Sequence, residues 1–393
     1  MAVHGVVRPT ASALFLQHFA ASQMLWGMAA VPVLVTGLLW LYGAMLDRFG
    51  SRGTLAASTV LSLALLLVPA VVHVAVRDSG SGLAGDAAAF FLYVWNDAFV
   101  VLLLEQLWAL ANSTHSVAGG KRNYGFLLVI GGLGATGGNQ AVARLAPLVG
   151  TLPIYFASLG LLIPFIWLMS RVFRLPGARV SPGGKPTSTS GSAGLTSLAG
   201  SGYLGAIAAV VGLGQFMVAP LDVVFQHRVA SEFAGLDATS SYTGDFWSVV
   251  NGASLGLQFL TPLVLQWVSV SRLHLLVPLT HAACILALLV HPCLATAAIA
   301  FGWFKVVDYS VFRAAKEVLY VPLDFDARYR AKMLIDMVIY RTSKGASALA
   351  LSLASALVQR FMPFLPLVAL TAAAAWVPLA AVIGRGFTHA KHP

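Results

Sequence analysis

Long apolar stretches follow one another along the chain, and only short groups of polar residues separate them. A stretch of about 20 apolar residues is long enough to cross the hydrocarbon core of a bilayer as a helix. The stretches do not alternate polar and apolar positions, as the strands of a membrane β-barrel would over about 10 residues. About eleven helical spans are predicted, at residues 24–46, 54–76, 87–110, 124–149, 151–172, 199–221, 244–268, 272–291, 294–312, 336–358 and 363–384.

Composition supports the membrane interpretation. Of the 393 residues, 58% are hydrophobic and 10% are charged, and the mean hydropathy is +0.83. A soluble domain carries roughly 25% charged residues. The chain is therefore predicted to be an all-α polytopic membrane protein surrounded by lipid.

One interruption divides the predicted spans into two groups. Residues 174–198 are rich in Pro, Gly and Ser and predict a flexible cytoplasmic linker between an N-terminal half, 1–173, and a C-terminal half, 199–393. The halves hold five and six spans, so a bundle of six plus six would lack its first helix. The apolar stretch 11–23 is too short to cross and is the expected remnant of that helix, although a misplaced start codon would give the same pattern.

Positive charge predicts the orientation of the chain. Lysines and arginines collect in every second loop, in the linker and in the C-terminal tail. Cytoplasmic loops are enriched in these residues, so the linker and the C-terminus are predicted to face the cytoplasm. The same distribution accounts for most of the net charge of +10. A nucleic-acid-binding surface is not needed to explain that charge, and no nucleic-acid partner is expected.

The first predicted loop has a recognisable pattern. The sequence GAMLDRFGSR, residues 43–52, resembles the Gly-x-x-x-Asp-Arg-x-Gly-x-Arg loop of the major facilitator superfamily. Glycines permit a tight turn between helices, and the charged side chains can bridge helix ends. The alternative is an ordinary basic turn. The residues predicted for a gating loop are Gly43, Asp47, Arg48, Gly50 and Arg52.

Longer stretches resemble a narrower family. EQLWALANSTHSVAGGKRNYGFLLVIGGLGATGG (105–138), KEVLYVPLDFDARYRAKMLIDMVIYRTSKG (316–345) and, more weakly, YTGDFWSVVNGAS (242–254) are similar to elements of plastid and intracellular-bacterial ATP/ADP translocases and their bacterial relatives. The resemblance implies a two-half major-facilitator-like helix bundle in a bacterial inner membrane. It also implies exchange of ATP for ADP through a central cavity lined by basic and acidic residues. ATP-transporting members carry a glutamate about twelve residues before the motif tryptophan, where this chain has Asn96 followed by Asp97.

Ionisable residues inside predicted spans are candidates for that cavity. Lys305 and Asp308 are three residues apart, so they share one face of a helix. Such residues usually face a bundle interior or a water-filled cavity. The alternatives are an ion pair that only fixes helix packing and, near helix ends, side chains that reach the membrane interface. The predicted substrate-binding residues are Lys305, Asp308, Asp336, Lys344, Asn96, Asp97, Glu105, Asn112, Lys121, Arg122 and Arg144.

The glycine-rich stretch GGLGATGG, residues 131–138, has small residues four apart and predicts close packing of helices. It is not followed by the Gly-Lys-Ser/Thr of a phosphate-binding loop.

Two function classes remain after these observations, a secondary transporter and a non-transporting membrane protein. The ten histidines are scattered and no catalytic motif is visible, so neither an enzyme nor a metal or cofactor site is expected. The preferred interpretation is a nucleotide exchanger, with a nucleotide or another charged metabolite as substrate and lipid as surroundings. The alternatives are a proton-coupled facilitator of a small organic solute, with Asp308 or Asp97 carrying the proton, and a non-transporting protein on the same fold. The substrate, the direction and the oligomeric state stay open.

Overall fold

A computed structural model describes residues 1–76, 82–114, 117–172, 196, 198–323, 331–358 and 361–391. Within these ranges the chain is helical and forms no strand. The α-helices are α1 (Ala2–His18), α2 (Met24–Val76), α3 (Gly82–Thr114), α4 (Val117–Val149), α5 (Thr151–Leu159), α6 (Leu162–Val172), α7 (Gly202–Glu232), α8 (Leu236–Trp267), α9 (Val270–Val290), α10 (Leu294–Val307), α11 (Arg313–Leu319), α12 (Tyr340–Leu357) and α13 (Leu365–Lys391).

Nine helical stretches of the described residues are long and apolar enough to cross a membrane. They are Ala21–Gly50, Gly53–Val76, Gly82–Trp108, Thr151–Met169, Gly202–Glu232, Leu236–Trp267, Val270–Val290, Leu294–Leu319 and Met362–His389. The other two predicted spans coincide with α4 and α12. The prediction of an all-α polytopic membrane protein is confirmed, and the total of eleven spans stays a prediction.

The N-terminal segment forms a helix that is longer than the predicted remnant of the first helix. Helix α1 begins at Ala2, nine residues before the apolar stretch predicted as its remnant, and its buried side chains extend from Val3 to Phe15. His4, Arg8 and Pro9 lower the hydropathy of its first half, which is why that half escaped the pattern. The helix has 17 residues, fewer than the about 20 of a full crossing.

Glycines of α4 allow α1 to approach closely. A Cβ atom added to Gly138 would collide with the backbone carbonyl of Ala2, and one added to Gly5 would collide with that of Ala135. Where two helix backbones approach this closely, more atom pairs come within the range of dispersion attraction, which stabilises the contact. The prediction that residues 131–138 serve helix packing is confirmed.

The chain divides into two compact units. Unit 1 comprises residues 1–20, 33–185 and 233–252, and unit 2 comprises residues 21–32, 186–232 and 253–393. In unit 1, α1 packs against α3, α4 and α5. In unit 2, α7 packs against α10, α12 and α13, and α9 packs against α13. The predicted halves and linker stay a prediction, because most of residues 174–198 lie outside the described ranges.

The core of each unit contains large, fully buried aromatic side chains among its aliphatic residues. Phe15, Trp95 and Tyr155 are fully buried in unit 1, and the Tyr155 hydroxyl donates a hydrogen bond of 2.9 Å to the carbonyl of Leu66. Phe301 and Trp376 are fully buried in unit 2. Aromatic side chains bury large areas and tolerate only certain packing geometries, so they hold the helices that carry the polar residues in a defined register.

Candidate functional site

In unit 2, Lys305 and Asp308 lie at the end of α10 and in the turn that follows it. The Lys305 ammonium nitrogen lies 5.6 Å from the ring centroids of both Phe301 and Tyr309, within the range of a cation–π interaction. The Tyr340 hydroxyl lies within electrostatic range of Asp308, Lys305 and Lys344. The structure therefore brings together three of the predicted binding residues, from two different helices, around Tyr340.

Two π-helical segments occur at the predicted acidic residues of this unit. The first runs from Asp308 to Phe312 between α10 and α11, and the second runs from Leu334 to Ile339, contains Asp336 and precedes α12. A π turn has an extra residue and a wider ring than an α turn, and such turns often occur at functional sites. The Gln258 amide donates a hydrogen bond of 2.9 Å to the carbonyl of Tyr309, inside the first segment.

Asp336, a predicted binding residue, lies in the second π-helical segment. Its carboxylate forms an ion pair with Lys316, whose side chain is 15% exposed. A second pair joins Lys332 to Glu317 at 2.6 Å. Both pairs connect α11 to the segment that leads into α12. The part of Asp336 in a substrate site stays a prediction.

In unit 1, a second polar group surrounds α1. The guanidinium carbon of Arg8 lies 3.2 Å from the ring centroid of Trp247, a direct stacking contact. His4, one turn earlier on α1, lies within electrostatic range of both Arg8 and Asp97. The Asn96 amide is 3.5 Å from the Asp97 carboxylate, and the Asn96 side chain lies within hydrogen-bonding range of His4.

A third polar group joins α4 to the first half of α8, also within unit 1. The Gln140 amide donates a hydrogen bond of 3.3 Å to Oδ1 of Asp245. The Arg144 Nε donates one of 3.3 Å to Oε1 of Gln140, and Nη2 of Arg144 lies 4.0 Å from the same Asp245 oxygen. The three side chains form one hydrogen-bonded network, in which the charges of Arg144 and Asp245 cancel.

Sequence reasoning missed Arg8, Trp247 and Asp245. Arg8 precedes the first predicted span and the predicted remnant 11–23, in a segment for which the sequence predicts no helix. Asp245 and Trp247 lie inside the stretch 242–254 that resembles a family element, and that resemblance was the available signal.

Comparison with known proteins identifies the fold and a family segment. Residues 256–387 match the TLC ATP/ADP transporter family. This segment is about a third of the chain. No curated protein is significantly similar to the chain.

Solved structures of transporters are similar over nearly the whole chain. A bacterial homologue of the iron transporter ferroportin, in an inward-facing state, is 14% identical with a TM-score of 0.69, and the match covers 98% of this chain and 97% of that one. The nucleoside transporter NupG is 9% identical with a TM-score of 0.61 and complete coverage of both chains. The D-xylose–proton symporter is 15% identical with a TM-score of 0.63, and the match covers 97% and 95%. These likenesses show that the chain has the fold of these transporters, the major facilitator fold.

The TLC ATP/ADP transporter segment contains the polar group of unit 2. Lys305, Asp308, Asp336 and Lys344 all lie within 256–387. The groups around Arg8 and Arg144 lie outside this segment. Their part in a substrate site stays a prediction, as does that of the unit 2 residues.

The remaining predicted residues are only partly described. Glu105 is an exposed residue of α3 and lies within electrostatic range of Tyr42. The side chains of Asn112, Lys121, Arg122 and Arg52 lie outside the described residues. Among the described residues, no group of three or more His, Cys, Asp or Glu side chains is arranged to hold a metal ion.

The loop that resembles the major-facilitator pattern forms a break in α2. Gly50 has φ of +63°, a left-handed conformation that glycine adopts without a steric penalty. Asp47 and Arg48 are exposed, and the Arg48 guanidinium lies 5.6 Å from the ring centroid of Phe49. Gly43 has open space where a side chain would be. The geometry explains the glycine at position 50, while the gating role of the loop stays a prediction.

Proposed function

We propose that the protein is a secondary transporter that exchanges nucleotides, with ATP and ADP as the type substrates, by alternating access. The observation that carries this proposal is the position of Lys305, Asp308 and Lys344 inside the segment that matches the ATP/ADP transporter family. The fold alone does not select a substrate, since the similar structures are named for a metal, a nucleoside and a sugar.

The proposed site uses charges of both signs. Lysines and arginines attract the phosphates of a nucleotide, and arginine can bind phosphate through two parallel hydrogen bonds. Lys305 and Lys344, both within electrostatic range of Tyr340, supply this attraction in unit 2. Nearby carboxylates limit the affinity, and a transporter needs this limit because it must release its substrate on the far side.

Alternating access is proposed to involve rocking of two helical halves about a site near the middle of the membrane. The π turn at Asp308 supports this proposal. A wider turn leaves backbone carbonyls that side chains such as Gln258 must satisfy, so the helix can change its hydrogen bonding there without losing a complete turn. We further propose that the protein resides in a bacterial inner membrane with its linker and C-terminus in the cytoplasm.

Counterflow in reconstituted vesicles tests the exchange. Vesicles loaded with ADP are expected to take up labelled external ATP, because exchange conserves the number of nucleotides on each side. Vesicles without internal nucleotide are expected to take up far less. Equal uptake in loaded and empty vesicles would contradict exchange.

A proton-coupled facilitator is the second candidate. It is favoured by the placement of Asp308 and Asp97 beside other ionisable groups inside the membrane region, where a carboxylate can exchange a proton. The same vesicles distinguish the two candidates, because a proton gradient would then drive uptake without internal nucleotide. Absence of any uptake by folded, correctly oriented protein would favour a non-transporting role.

A further inference from the structure

The Arg144–Asp245 pair in unit 1 is unusually open for an ion pair between membrane helices. Its side chains are 74% and 45% exposed, and the closest nitrogen–oxygen distance is 4.0 Å. The Lys316–Asp336 pair of unit 2 is much less exposed, at 15% and 29%. Exposed pairs at such distances contribute little to stability. The Arg144–Asp245 pair is therefore poorly explained as a clamp between α4 and α8.

The backbone around the pair nevertheless holds Asp245 in a defined position. A Cβ atom added to Gly244 would lie 2.7 Å from the carbonyl oxygen of Asn139, so α4 and α8 are in direct contact there. The Ser241 hydroxyl donates a hydrogen bond of 2.7 Å to the carbonyl of Ala143. Gly244 lies one residue before Asp245 and Ser241 one turn before it. Their contacts with α4 hold the Asp245 carboxylate opposite Gln140 and Arg144.

The carboxylate thus occupies a position that an external anion would take. A phosphate offers three oxygens with more charge than one carboxylate and can engage an arginine through two hydrogen bonds. Asp245 engages Arg144 loosely and through one oxygen. A phosphate that reached Arg144 would form the better contact, and it would have to displace Asp245 to do so.

We infer that Asp245 is an internal competitor for phosphate at Arg144. The inference rests on the proposed function only in taking the phosphate to belong to a transported nucleotide. In the empty protein Asp245 and Gln140 hold the guanidinium in position. When a phosphate binds, the carboxylate is released and the contacts of Asp245 with Gln140 and Arg144 are lost. The Ser241–Ala143 hydrogen bond still connects α8 to α4. Asp245 consequently lowers the affinity for substrate and couples its binding to a loss of polar contacts between the two helices.

Binding to the purified full chain in detergent tests this inference. The probes are pyrophosphate, ADP and adenosine, with wild type, Asp245→Asn, Arg144→Gln and the double variant compared by calorimetry. Asp245→Asn is expected to bind pyrophosphate and ADP about two- to fivefold more tightly, because an exposed ion pair changes an equilibrium constant by about that factor. Its response to adenosine is expected to be unchanged. The double variant is expected to bind pyrophosphate and ADP no more tightly than Arg144→Gln alone.

Asp86→Asn is the matched control. Asp86 belongs to the same unit, is 44% exposed and pairs with His18 at 2.7 Å. Its substitution removes the same charge at a similar exposure but away from Arg144. An equal gain in Asp86→Asn, or an unchanged or weaker affinity in Asp245→Asn, would overturn the inference.

The binding measurements, together with the counterflow assay, also distinguish failure of this inference from failure of the proposed function. Tighter pyrophosphate binding by Asp245→Asn, with no binding of ADP and no counterflow, would support the competitor and overturn nucleotide exchange. Counterflow that occurs while Asp245→Asn leaves binding unchanged would support nucleotide exchange and overturn the competitor role of Asp245. A lipid headgroup is the other possible source of the phosphate, and nanodiscs with and without phosphatidylglycerol test it. If Asp245→Asn gains thermal stability only with phosphatidylglycerol, and not with soluble pyrophosphate, the phosphate belongs to a lipid headgroup. That result would overturn the transport role of the pair.

Discussion

At the scale of single residues, Lys305 is the clearest test of the substrate site. Its ammonium group lies near two aromatic rings, and Asp308 follows three residues later. Aromatic faces stabilise the cation partly, so Lys305 does not depend on the carboxylate alone. A purely structural pair and a substrate-binding lysine therefore predict different behaviour when each charge is removed.

Lys305→Ala is expected to insert but to lose thermal stability, since it leaves the Asp308 carboxylate uncompensated in the membrane region, and to lose ligand-induced stabilisation by ADP. Asp308→Ala is expected to change thermal stability less, because the rings of Phe301 and Tyr309 stabilise the remaining ammonium group. The double variant is expected to regain stability without regaining the ADP response. Thermal unfolding with and without ADP measures both properties on the same samples.

Recovery of both stability and ADP response in the double variant would contradict the binding role. Lys305→Arg is the matched control, since it retains the charge and the aromatic contacts. It is expected to keep a weakened ADP response and nearly wild-type stability.

At the scale of helices, the contact of α1 with α4 depends on residue 138 being a glycine, which has no Cβ atom. The colliding atom would be the backbone carbonyl of Ala2, which cannot rotate away as a flexible side chain could. Gly138→Ala is therefore expected to destabilise the protein by roughly 1–3 kcal/mol, the usual range for overpacking. Thermal unfolding in detergent measures the loss.

Gly137→Ala is the control, because a Cβ atom at Gly137 meets nothing within 4 Å. It is expected to be neutral or slightly stabilising, since alanine favours a helix over glycine by roughly 0.5–1 kcal/mol. Equal unfolding temperatures for the two variants would mean that α1 does not pack on α4 as described.

At the scale of the whole molecule, the orientation in the membrane can be tested with a native cysteine. Cys293 is exposed at the start of α10, and a hydrogen bond from the Thr296 hydroxyl lowers the pKa of its thiol below the ordinary value. More thiolate is then present at neutral pH than in an ordinary cysteine, and thiolate is the reactive form. The predicted topology places Cys293 on the side opposite the linker.

An impermeant thiol reagent added outside intact cells is expected to label the wild-type protein at Cys293. Labelling is expected to rise with pH until the thiol is fully ionised. Cys293→Ala should remain almost unlabelled, because Cys284 is partly buried. Ser188→Cys in the Cys293→Ala background is expected to resist the reagent until the cells are made permeable. Labelling of the linker cysteine in intact cells would reverse the proposed orientation.

The sequence by itself determined the properties that depend on local composition. Apolar stretches predicted where most membrane helices lie, because lipid provides no hydrogen-bond partners and only a long apolar helix satisfies its own backbone. The similarity of 316–345 to translocase elements also pointed to the family that residues 256–387 match. The glycines of 131–138 predicted a close helix contact, because two helix backbones can approach closely only where the side chains between them are small.

Only the tertiary structure decided which polar groups meet. The sequence named Asp336 as a candidate binding residue without naming its partner, and the structure places it in the π turn from Leu334 to Ile339, paired with Lys316. Arg8 contacts Trp247, and Arg144 contacts Asp245, across roughly 100 residues or more of chain. Such pairings depend on how helices distant in the chain pack together, and a local pattern carries no record of that packing. The same reason hid α1, whose charged and proline-containing first half is stabilised by burial against α3 and α4 rather than by its own hydropathy.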